Sequence, residues 1–175
     1  MSRVGKFLVA TPKIRTGFFE HSVIFIYEDS LNGTAGLVIN KPSSIDFADI
    51  ASDRNIDYPR NTTLIHTGGP VSPRAVTLLH TDEWASQNTL HTSTGLDISS
   101  DEVMIHKIAN GNTPQGFRTF SGLSIWVPGQ LDHEISHQQW LLTELPHSAV
   151  FDVDGVKQWE RSVELYGQQF VAEWF

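Results

Sequence analysis

The chain has 175 residues and contains no cysteine. That absence excludes a disulfide framework, a thiolate zinc site, an iron–sulfur cluster and a cysteine nucleophile. Basic residues are also few, since 12 Lys and Arg stand against 20 Asp and Glu and give a formal net charge of −8. Binding to a phosphate backbone needs clustered Lys and Arg, so the composition disfavours direct nucleic-acid binding. With 39% hydrophobic residues, the chain has the composition of a globular protein.

Long apolar runs are missing as well. No stretch approaches the ~20 apolar residues of a membrane-spanning helix. The apolar run Phe7–Ala10 is shorter than the roughly seven to fifteen residues of a signal-peptide core. These absences favour a cytoplasmic protein with no membrane partner. No repeat or linker-like stretch divides the sequence, so residues 1–175 are predicted to form a single domain.

Several motifs of catalysis and cofactor binding are absent too. The sequence has no G-x-S-x-G elbow, no Walker P-loop and no G-x-G-x-x-G turn. We therefore expect no bound cofactor, and the sequence favours a non-enzymatic protein. An enzyme without a recognisable motif is a class that the sequence leaves open.

The pattern of apolar residues predicts a mixed secondary structure. Short β-branched and aromatic runs alternate with helical periodicities, which is typical of an α+β fold with a mixed sheet. Asn32-Gly33 lies between two such runs and predicts a β-hairpin. Strands are predicted at residues 6–10, 21–27, 34–40, 62–67, 75–80, 89–92, 116–127 and 148–153.

The same pattern predicts four helices. Ser43 and Ser99 are each followed by an acidic residue three positions on, which predicts two helix N-caps, with helices running to about Ala51 and Asn110. A third helix is predicted over residues 130–145, and a fourth closes the chain. Their apolar stripes are Leu131, Ile135, Leu142 and Leu145 in the third helix, and Val156, Trp159, Val163, Tyr166 and Phe170 in the fourth.

One motif points to a specific chemistry. The segment His133-Glu134-Ile135-Ser136-His137 matches H-E-x-x-H. In that motif two histidines one helical turn apart bind zinc, and the glutamate deprotonates the bound water. The pattern predicts, as an alternative function, a zinc-dependent hydrolase with His133 and His137 as metal ligands and Glu134 as general base.

Two features weaken this alternative. A catalytic zinc site needs a third protein ligand, and none stands at a recognisable spacing, since the metzincin position is Thr143. At about 100° per residue, the two histidines also fall opposite the apolar stripe of the predicted helix, which places them toward solvent. The sequence therefore favours an incidental histidine pair over a metal site.

Three stretches, taken together, carry a family resemblance. They are Gly36–Pro42 (GLVINKP), Thr67–Val71 (TGGPV) and Trp126–Leu131 (WVPGQL), the last followed by Glu134-Ile135 and Trp140-Leu141. Supporting matches are Ala10-Thr11-Pro12, Phe19 with Ser22-Val23, Leu79-His80, and Phe117-Arg118 with Phe120 and Gly122. In order and spacing, these segments resemble the YqgE/AlgH family of small bacterial proteins over residues 5 to 165.

The resemblance implies an α+β fold with a mixed, strongly bent sheet that forms a pseudo-barrel flanked by helices. It also implies a cytosolic protein whose molecular function is not established. One member's name links the family to regulation of alginate production and transcription. The family defines no catalytic residue, and its pattern has no histidine at positions 133 and 137. This chain departs from the usual Gly-Tyr-Ala-Gly-Trp by having Gly122-Leu123-Ser124-Ile125-Trp126.

The residues of this family pattern form a candidate binding patch. Gly129 and Gln130 begin a helix whose free N–H groups favour an anion. Glu134 follows one turn later, where it can meet a cation such as Lys41 or Arg74. The complete candidate patch is Asn40, Lys41, Gly68, Gly69, Arg74, Trp126, Gly129, Gln130 and Glu134. The alternative interpretation is a folding skeleton made of turn glycines, a helix start, an ion pair and packed tryptophans.

Charge is unevenly distributed along the chain. Residues 1–19 contain Arg3, Lys6, Lys13 and Arg15 but no acidic residue. This distribution predicts a basic edge that meets an acidic partner or a second subunit, while the plainer interpretation is a solvated, slightly basic terminus. The favoured prediction is a non-enzymatic cytosolic protein of the YqgE/AlgH type. It acts through contacts with a protein or small-molecule partner, with transcriptional regulation as the role that the resemblance implies.

Overall fold

The computed structural model describes residues 2–172, with side chains up to Gln169. The strands in this range are β1 (Phe7–Ala10), β2 (Val23–Ser30), β3 (Gly33–Val38), β4 (Pro42–Asp46), β5 (Leu64–Thr67), β6 (Val71–Thr81), β7 (Leu96–Ser99), β8 (Phe117–Trp126) and β9 (Trp140–Thr143). The helices are α1 (Phe47–Ser52), α2 (Glu102–Ala109), α3 (Gln130–Ser136), α4 (His147–Phe151) and α5 (Gly155–Ala172). None of these described helices is long and apolar enough to span a bilayer.

The strands form one mixed sheet. Its main order is β4-β5-β8-β3-β2-β1-β9, with β6 paired to β8 and β7 paired to β6. The β5–β8 pair is parallel, and the other pairs are antiparallel. Among the described strands, β4, β7 and β9 each pair with a single neighbour, so the sheet does not close.

Strand β8 connects the two halves of the sheet. Its first half pairs with β5 and β6, whereas Ser124–Trp126 pair with β3. Between the halves, Gly122 has φ +75°, and a Cβ there would lie 2.3 Å from the carbonyl oxygen of Gly69. Only glycine fits such a close crossing of two backbones, which lets β8 change partners and bend the sheet. The predicted α+β fold with a mixed, bent sheet is confirmed.

Helices α3 and α5 lie on opposite faces of the β1–β9 region. Side chains alternate along a strand, so neighbouring residues of β1 point to different faces. Leu8 belongs to the apolar cluster that contains Leu131 of α3. Phe7 belongs to the cluster against which Trp159 of α5 packs. The β1–β9 end of the sheet is therefore held between these two helices.

The predicted hairpin is confirmed, but the helix predicted over residues 130–145 is half wrong. β2 ends at Ser30 and β3 begins at Gly33, as Asn32-Gly33 indicates. By contrast, α3 ends at Ser136, Gln138 adopts a left-handed φ of +59°, and the chain continues as β9. The apolar spacing fits a helix locally, yet pairing with β1, far away in sequence, decides the structure of residues 140–143.

Both predicted N-caps are wrong by two or three residues. Ser43 lies in β4, and Asp46 caps α1 by accepting a hydrogen bond from the N–H of Ala48 at 2.9 Å. Ser99 lies in β7, where its hydroxyl bonds to the ring of His80, and Asp101 caps α2 through Met104. Both serines lie in strands, so the aspartates that follow accept the hydrogen bonds from the first N–H groups of the helices.

Three further predictions need correction. Residues 89–92 form no strand, although Leu90 makes an isolated bridge to Ile98. Residues 148–153 are not a strand, since 147–151 form α4. In α5, Val156 and Val163 are exposed, whereas Gln158 and Ser162 are fully buried. The buried face of α5 is thus partly polar, and Phe170 lies outside the described side chains.

Candidate functional site

A groove of ≈ 690 Å³ opens at the β9 edge of the sheet. We call it the edge groove. Its lining comes from the loop after β1, from the end of α3 and its connection to β9, from β9 itself and from α5. The lining residues are Thr11, Pro12, Lys13, Arg15, Ile135, Gln138, Trp140, Leu141, Leu142 and Tyr166. It combines apolar walls, two cations and a strand edge in one place.

The register of β9 against β1 exposes part of the β9 backbone to the edge groove. The N–H of Thr11 donates to the carbonyl of Gln139 at 3.0 Å, so this pair faces inward. Hydrogen-bonded and non-bonded pairs alternate in an antiparallel ladder, which turns the N–H and C=O groups of Trp140 and Leu142 away from β1. Within residues 2–172 these outward groups have no hydrogen-bond partner.

The edge groove is positively charged. Lys13 and Arg15 are exposed at its rim, and none of the described residues that line it carries a carboxylate. The Lys13 ammonium donates to the carbonyl of His137 at 3.3 Å and to Oε1 of Gln138 at 3.1 Å. These neutral partners position the Lys13 charge without cancelling it. In an open groove, such charges attract an anionic ligand.

The other basic residues near the N-terminus do not all contribute to this charge. Arg3 lies in ion pairs with Asp29 at 3.0 Å and with Asp132 at 2.7 Å. The Arg3 guanidinium, above all, holds the pKa of Asp29 below its usual range, with further hydrogen bonds from the hydroxyl of Thr34 and the N–H of Arg3. Of the basic residues predicted to form an edge, only Lys13 and Arg15 are among the residues that line the edge groove.

Two tryptophans build the wall behind the edge groove. Trp140 is 3% exposed and packs edge-to-face against Trp126, with ring centroids 6.1 Å apart. Phe19 contacts the Trp140 ring at 5.9 Å in a similar geometry. The indole N–H of Trp140 is buried without a hydrogen-bond partner among the described residues, as is one carboxylate oxygen of Glu134. Packing, and not hydrogen bonding, fixes this wall.

A second polar cluster lies buried where α5 begins. Arg118 is 9% exposed, and its guanidinium donates to the carbonyl of Ile39 at 2.7 Å and to Oε1 of Gln158 at 2.9 Å. It also donates to the carbonyls of Phe151 and Val153. Burial lowers the pKa of Arg118, against the opposing charge of Asp154. These bonds join β8 to the residue after β3, to the end of α4 and to α5.

The same cluster contains a histidine–aspartate pair. His66 Nε2 lies 2.7 Å from an oxygen of Asp154, and its Nδ1 is buried without a partner within the described side chains. Burial opposes ionisation of Asp154, but the hydrogen bond to His66 and the charge of Arg118 outweigh it and lower the pKa of Asp154. The pair opens into none of the described cavities, so we interpret the cluster as the anchor of α5.

The structure distributes the predicted patch over several places. Asn40 belongs to the α5 anchor: its Oδ1 accepts from the N–H of Val23, and its Nδ2 donates to the carbonyls of His21 and Gly155. The Lys41 ammonium donates to the carbonyl of Glu20 at 3.1 Å and lies 5.4 Å from the Phe18 ring centroid. Burial lowers its pKa.

The glycines and Arg74 occupy other positions. Gly68 and Gly69 form the backbone crossing with Gly122, where any Cβ would collide with the opposite chain. Arg74 is exposed in the irregular stretch of β6 between Val71 and Val76. It makes no ion pair with any described residue.

The remaining patch residues lie near α3. Gly129 precedes the helix with φ +84°. The side-chain oxygen Oε1 of Gln130 accepts a hydrogen bond from the N–H of Val127 at 3.1 Å. Trp126 is buried in the aromatic wall. Glu134 makes no ion pair with Lys41 or Arg74 among the described side chains. The described contacts give most of these residues a role in turns, packing or strand crossing, whereas Arg74 and Glu134 make no ion pair with any described residue.

The histidines of the H-E-x-x-H motif are exposed at the end of α3. Their rings stack with centroids 4.0 Å apart, and Nδ1 of His137 donates to the carbonyl of His133 at 2.8 Å. Within residues 2–172, no third His, Asp or Glu is placed to share a metal ion with them. The residues present therefore do not fit the three-ligand set of a catalytic zinc.

The edge groove brings together residues that no single sequence motif connects. The basic run near the N-terminus points to Lys13 and Arg15. Trp140 is named only as part of the family pattern, and Tyr166 only as a packing residue of the last helix. The pairing of β9 with β1 brings these residues together. No local sequence pattern predicts that pairing.

Comparisons with known proteins agree with this fold. The family model described as AlgH-like (DUF179) matches residues 7–171. A UPF0301 protein of Marinomonas sp. strain MWYL1 is 33% identical over 164 residues, which cover 92% of this chain and 87% of that protein.

Solved structures give the same result. The solution structure of AlgH from Pseudomonas aeruginosa superposes with a TM-score of 0.78 at 27% identity, covering 91% of this chain and 86% of that one. The crystal structure of DIP2367 from Corynebacterium diphtheriae, at 24% identity and a TM-score of 0.73, covers 91% of this chain and 84% of its own and shares the fold. The chain belongs to the AlgH-like family, DUF179.

Proposed function

We propose that this chain is a non-enzymatic binding protein that holds an acidic segment of a partner protein in the edge groove. The observation that carries the proposal is the combination of an unpaired strand edge at β9 with the cations of Lys13 and Arg15. Recognition of a polypeptide needs main-chain donors and acceptors together with side-chain specificity, and the edge groove offers both.

Charge selects the class of partner. The whole chain carries a formal charge of −8, so its net charge repels an acidic protein, while Lys13 and Arg15 attract an acidic segment at the edge groove. A duplex nucleic acid would need cations along a long track, and two residues do not supply one. An acidic polypeptide segment of a few residues matches the size of this positive region.

A binding role of this kind suits the regulatory function that the family resemblance implies. We place its action in the cytoplasm, as the sequence predicts. The proposal requires no cofactor. The geometry of His133 and His137 does not support the hydrolase alternative, because no described residue is placed to act as a third metal ligand.

Peptide selection tests the proposal directly. The protein is immobilised and panned against a displayed library of random twelve-residue peptides. Two double variants are panned in parallel. Lys13→Glu with Arg15→Glu reverses the charge of the edge groove, and Arg74→Glu with Lys157→Glu makes the same change in net charge on exposed residues elsewhere.

We expect the wild type and the Arg74/Lys157 variant to enrich the same acidic sequences. The Lys13/Arg15 variant should lose that enrichment, because like charges in the groove repel the ligand. Absence of any enriched family, or enrichment that survives the Lys13/Arg15 reversal, would overturn the proposal.

A further inference from the structure

We infer that the acidic segment binds by adding a strand to β9, antiparallel to it, with its acidic residues following the paired core on the C-terminal side. This inference rests on the proposed function and specifies the binding mode. The partner segment becomes a new edge of the sheet. Main-chain hydrogen bonds then supply affinity, and the groove side chains supply selectivity.

The free backbone groups of β9 set the pairing. Trp140 and Leu142 each turn one N–H and one C=O away from β1. In an antiparallel ladder, each bonded pair exchanges two hydrogen bonds, so a strand opposite these residues gains about four. The four residues of β9 span roughly 13 Å at ~3.3 Å per residue, which fixes the paired core at about four residues.

The two ends of β9 differ, and this difference sets the position of the acidic residues in an antiparallel partner strand. At the C-terminal end, Gln169 of α5 accepts from the hydroxyl of Thr143 at 2.8 Å and donates to the carbonyl of Glu144 at 3.0 Å. At the N-terminal end, the edge groove opens toward Lys13 and Arg15. An antiparallel strand runs toward that open end, so its acidic residues must come after the paired core.

The walls of the edge groove determine which side chains the paired residues of the partner segment should have. Ile135 packs in the cluster on the α3 face of the sheet, and Tyr166 belongs to α5, which packs on the opposite face. Successive side chains of an added strand alternate between these walls. Both walls are largely apolar, so the core should consist of β-branched or apolar residues.

A second copy of this chain is the competing occupant. The groove lining that it would present contains two cations and, among the described residues, no carboxylate. It therefore lacks the acidic groups that complement Lys13 and Arg15.

Hydrogen exchange on the uniformly ¹⁵N-labelled protein tests the inference. The probe is the acetylated and amidated peptide Thr-Val-Thr-Val-Asp-Glu, or a selected peptide from the panning experiment. We expect amide exchange at Trp140 and Leu142 to slow at least about tenfold at saturation, because free N–H groups become hydrogen-bonded. The Leu141 amide faces β1 already and serves as the internal control.

Peptide variants separate strand addition from simple charge attraction. N-methylation removes one main-chain donor, so methylating alternate residues of the core should weaken binding roughly tenfold, while methylating the residues between them should not. The reversed peptide, with its two acids first, should bind more weakly than the original.

The outcomes distinguish the two proposals. If acidic peptides bind in a Lys13- and Arg15-dependent way but leave the Trp140 and Leu142 amides unprotected, strand addition is overturned and the proposed function stands. If no acidic peptide binds, both fail. If sedimentation velocity shows a dimer of the free protein that protects these same amides, a second copy is the occupant and the inference is overturned.

Discussion

The hydrogen bond from the N–H of Thr11 to the carbonyl of Gln139, 3.0 Å long, determines which backbone groups of β9 stay free. It sets the ladder between β1 and β9 so that Trp140 and Leu142 face outward. The same loop continues to Lys13 and Arg15. One local register therefore places an unpaired strand edge beside two cations, and the proposed binding function depends on this arrangement.

The backbone crossing at Gly122 gives the first prediction. Gly122→Ala should lower the free energy of unfolding by about 3 kcal/mol, because the new Cβ collides with the carbonyl oxygen of Gly69 in addition to straining a positive φ. Gly111 has φ +85° with open space around it, so Gly111→Ala carries the strain without the collision and should cost about 1 kcal/mol. Urea unfolding measures both. Equal costs would show that the crossing does not constrain residue 122.

The α5 anchor gives a second prediction. Arg118→Met leaves the carbonyls of Ile39 and Phe151 without their donor, so it should destabilise the protein by about 3 kcal/mol. The matched control is Arg161→Met on the exposed face of α5, where the ion pair with Glu164 is worth less than about 0.5 kcal/mol. A similar unfolding midpoint for the two variants would contradict the anchoring role.

Acid sensitivity provides a third prediction. The pKa of Asp29 is lowered in the folded state, mainly by its hydrogen bond from Arg3. A carboxylate with a lowered folded pKa stabilises the fold above its unfolded pKa of about 3.9 and loses that contribution as the pH falls through its folded pKa. The stability advantage of wild type over Asp29→Asn should thus be largest near neutral pH and shrink below about pH 4. Chemical unfolding at pH 7 and pH 2.5 measures it, and an advantage independent of pH would contradict this assignment.

The histidine pair gives a fourth prediction. Both rings are exposed, so the double variant His133→Ala, His137→Ala should change the free energy of unfolding by less than about 0.5 kcal/mol. We also expect protein purified without an affinity tag to contain no stoichiometric zinc. Elemental analysis beside the double variant checks this. About one zinc per chain, lost in the variant, would favour the hydrolase alternative.

The parts of the fold that depend on local signals could be predicted from the sequence. Asn32-Gly33 specifies a turn through its own backbone preferences, and α2 ends at Ala109, close to the end expected at about Asn110. The segment 130–145 shows the limit of such signals. Leu131, Ile135 and Leu142 do contact one cluster, as the stripe predicts, but Leu142 reaches it from a strand. A helix and a strand over this segment would both bring these leucines to the same cluster. Pairing with β1 makes residues 140–143 a strand.

The candidate site was harder to predict, for physical reasons. Gln158 is fully buried because it bonds to Arg118 and to carbonyls of α4, and no hydrophobic pattern reveals a buried polar residue. The edge groove likewise joins Lys13, Trp140 and Tyr166 from three distant segments. The charge of residues 1–19 was a real signal, but the sequence could not show that Arg3 is neutralised while Lys13 and Arg15 remain available.

Chemical-shift mapping, with an acidic peptide added to the ¹⁵N-labelled protein, shows whether the edge groove is the binding site. We predict shifts concentrated at residues 11–15, 138–142 and 166, and their loss in the Lys13→Glu, Arg15→Glu variant. We predict no comparable shifts at Gly68, Gly69 or Arg74, which belong to the patch inferred from the family pattern. Shifts centred on that patch, or the absence of any shift at β9, would contradict the assignment of the edge groove as the binding site.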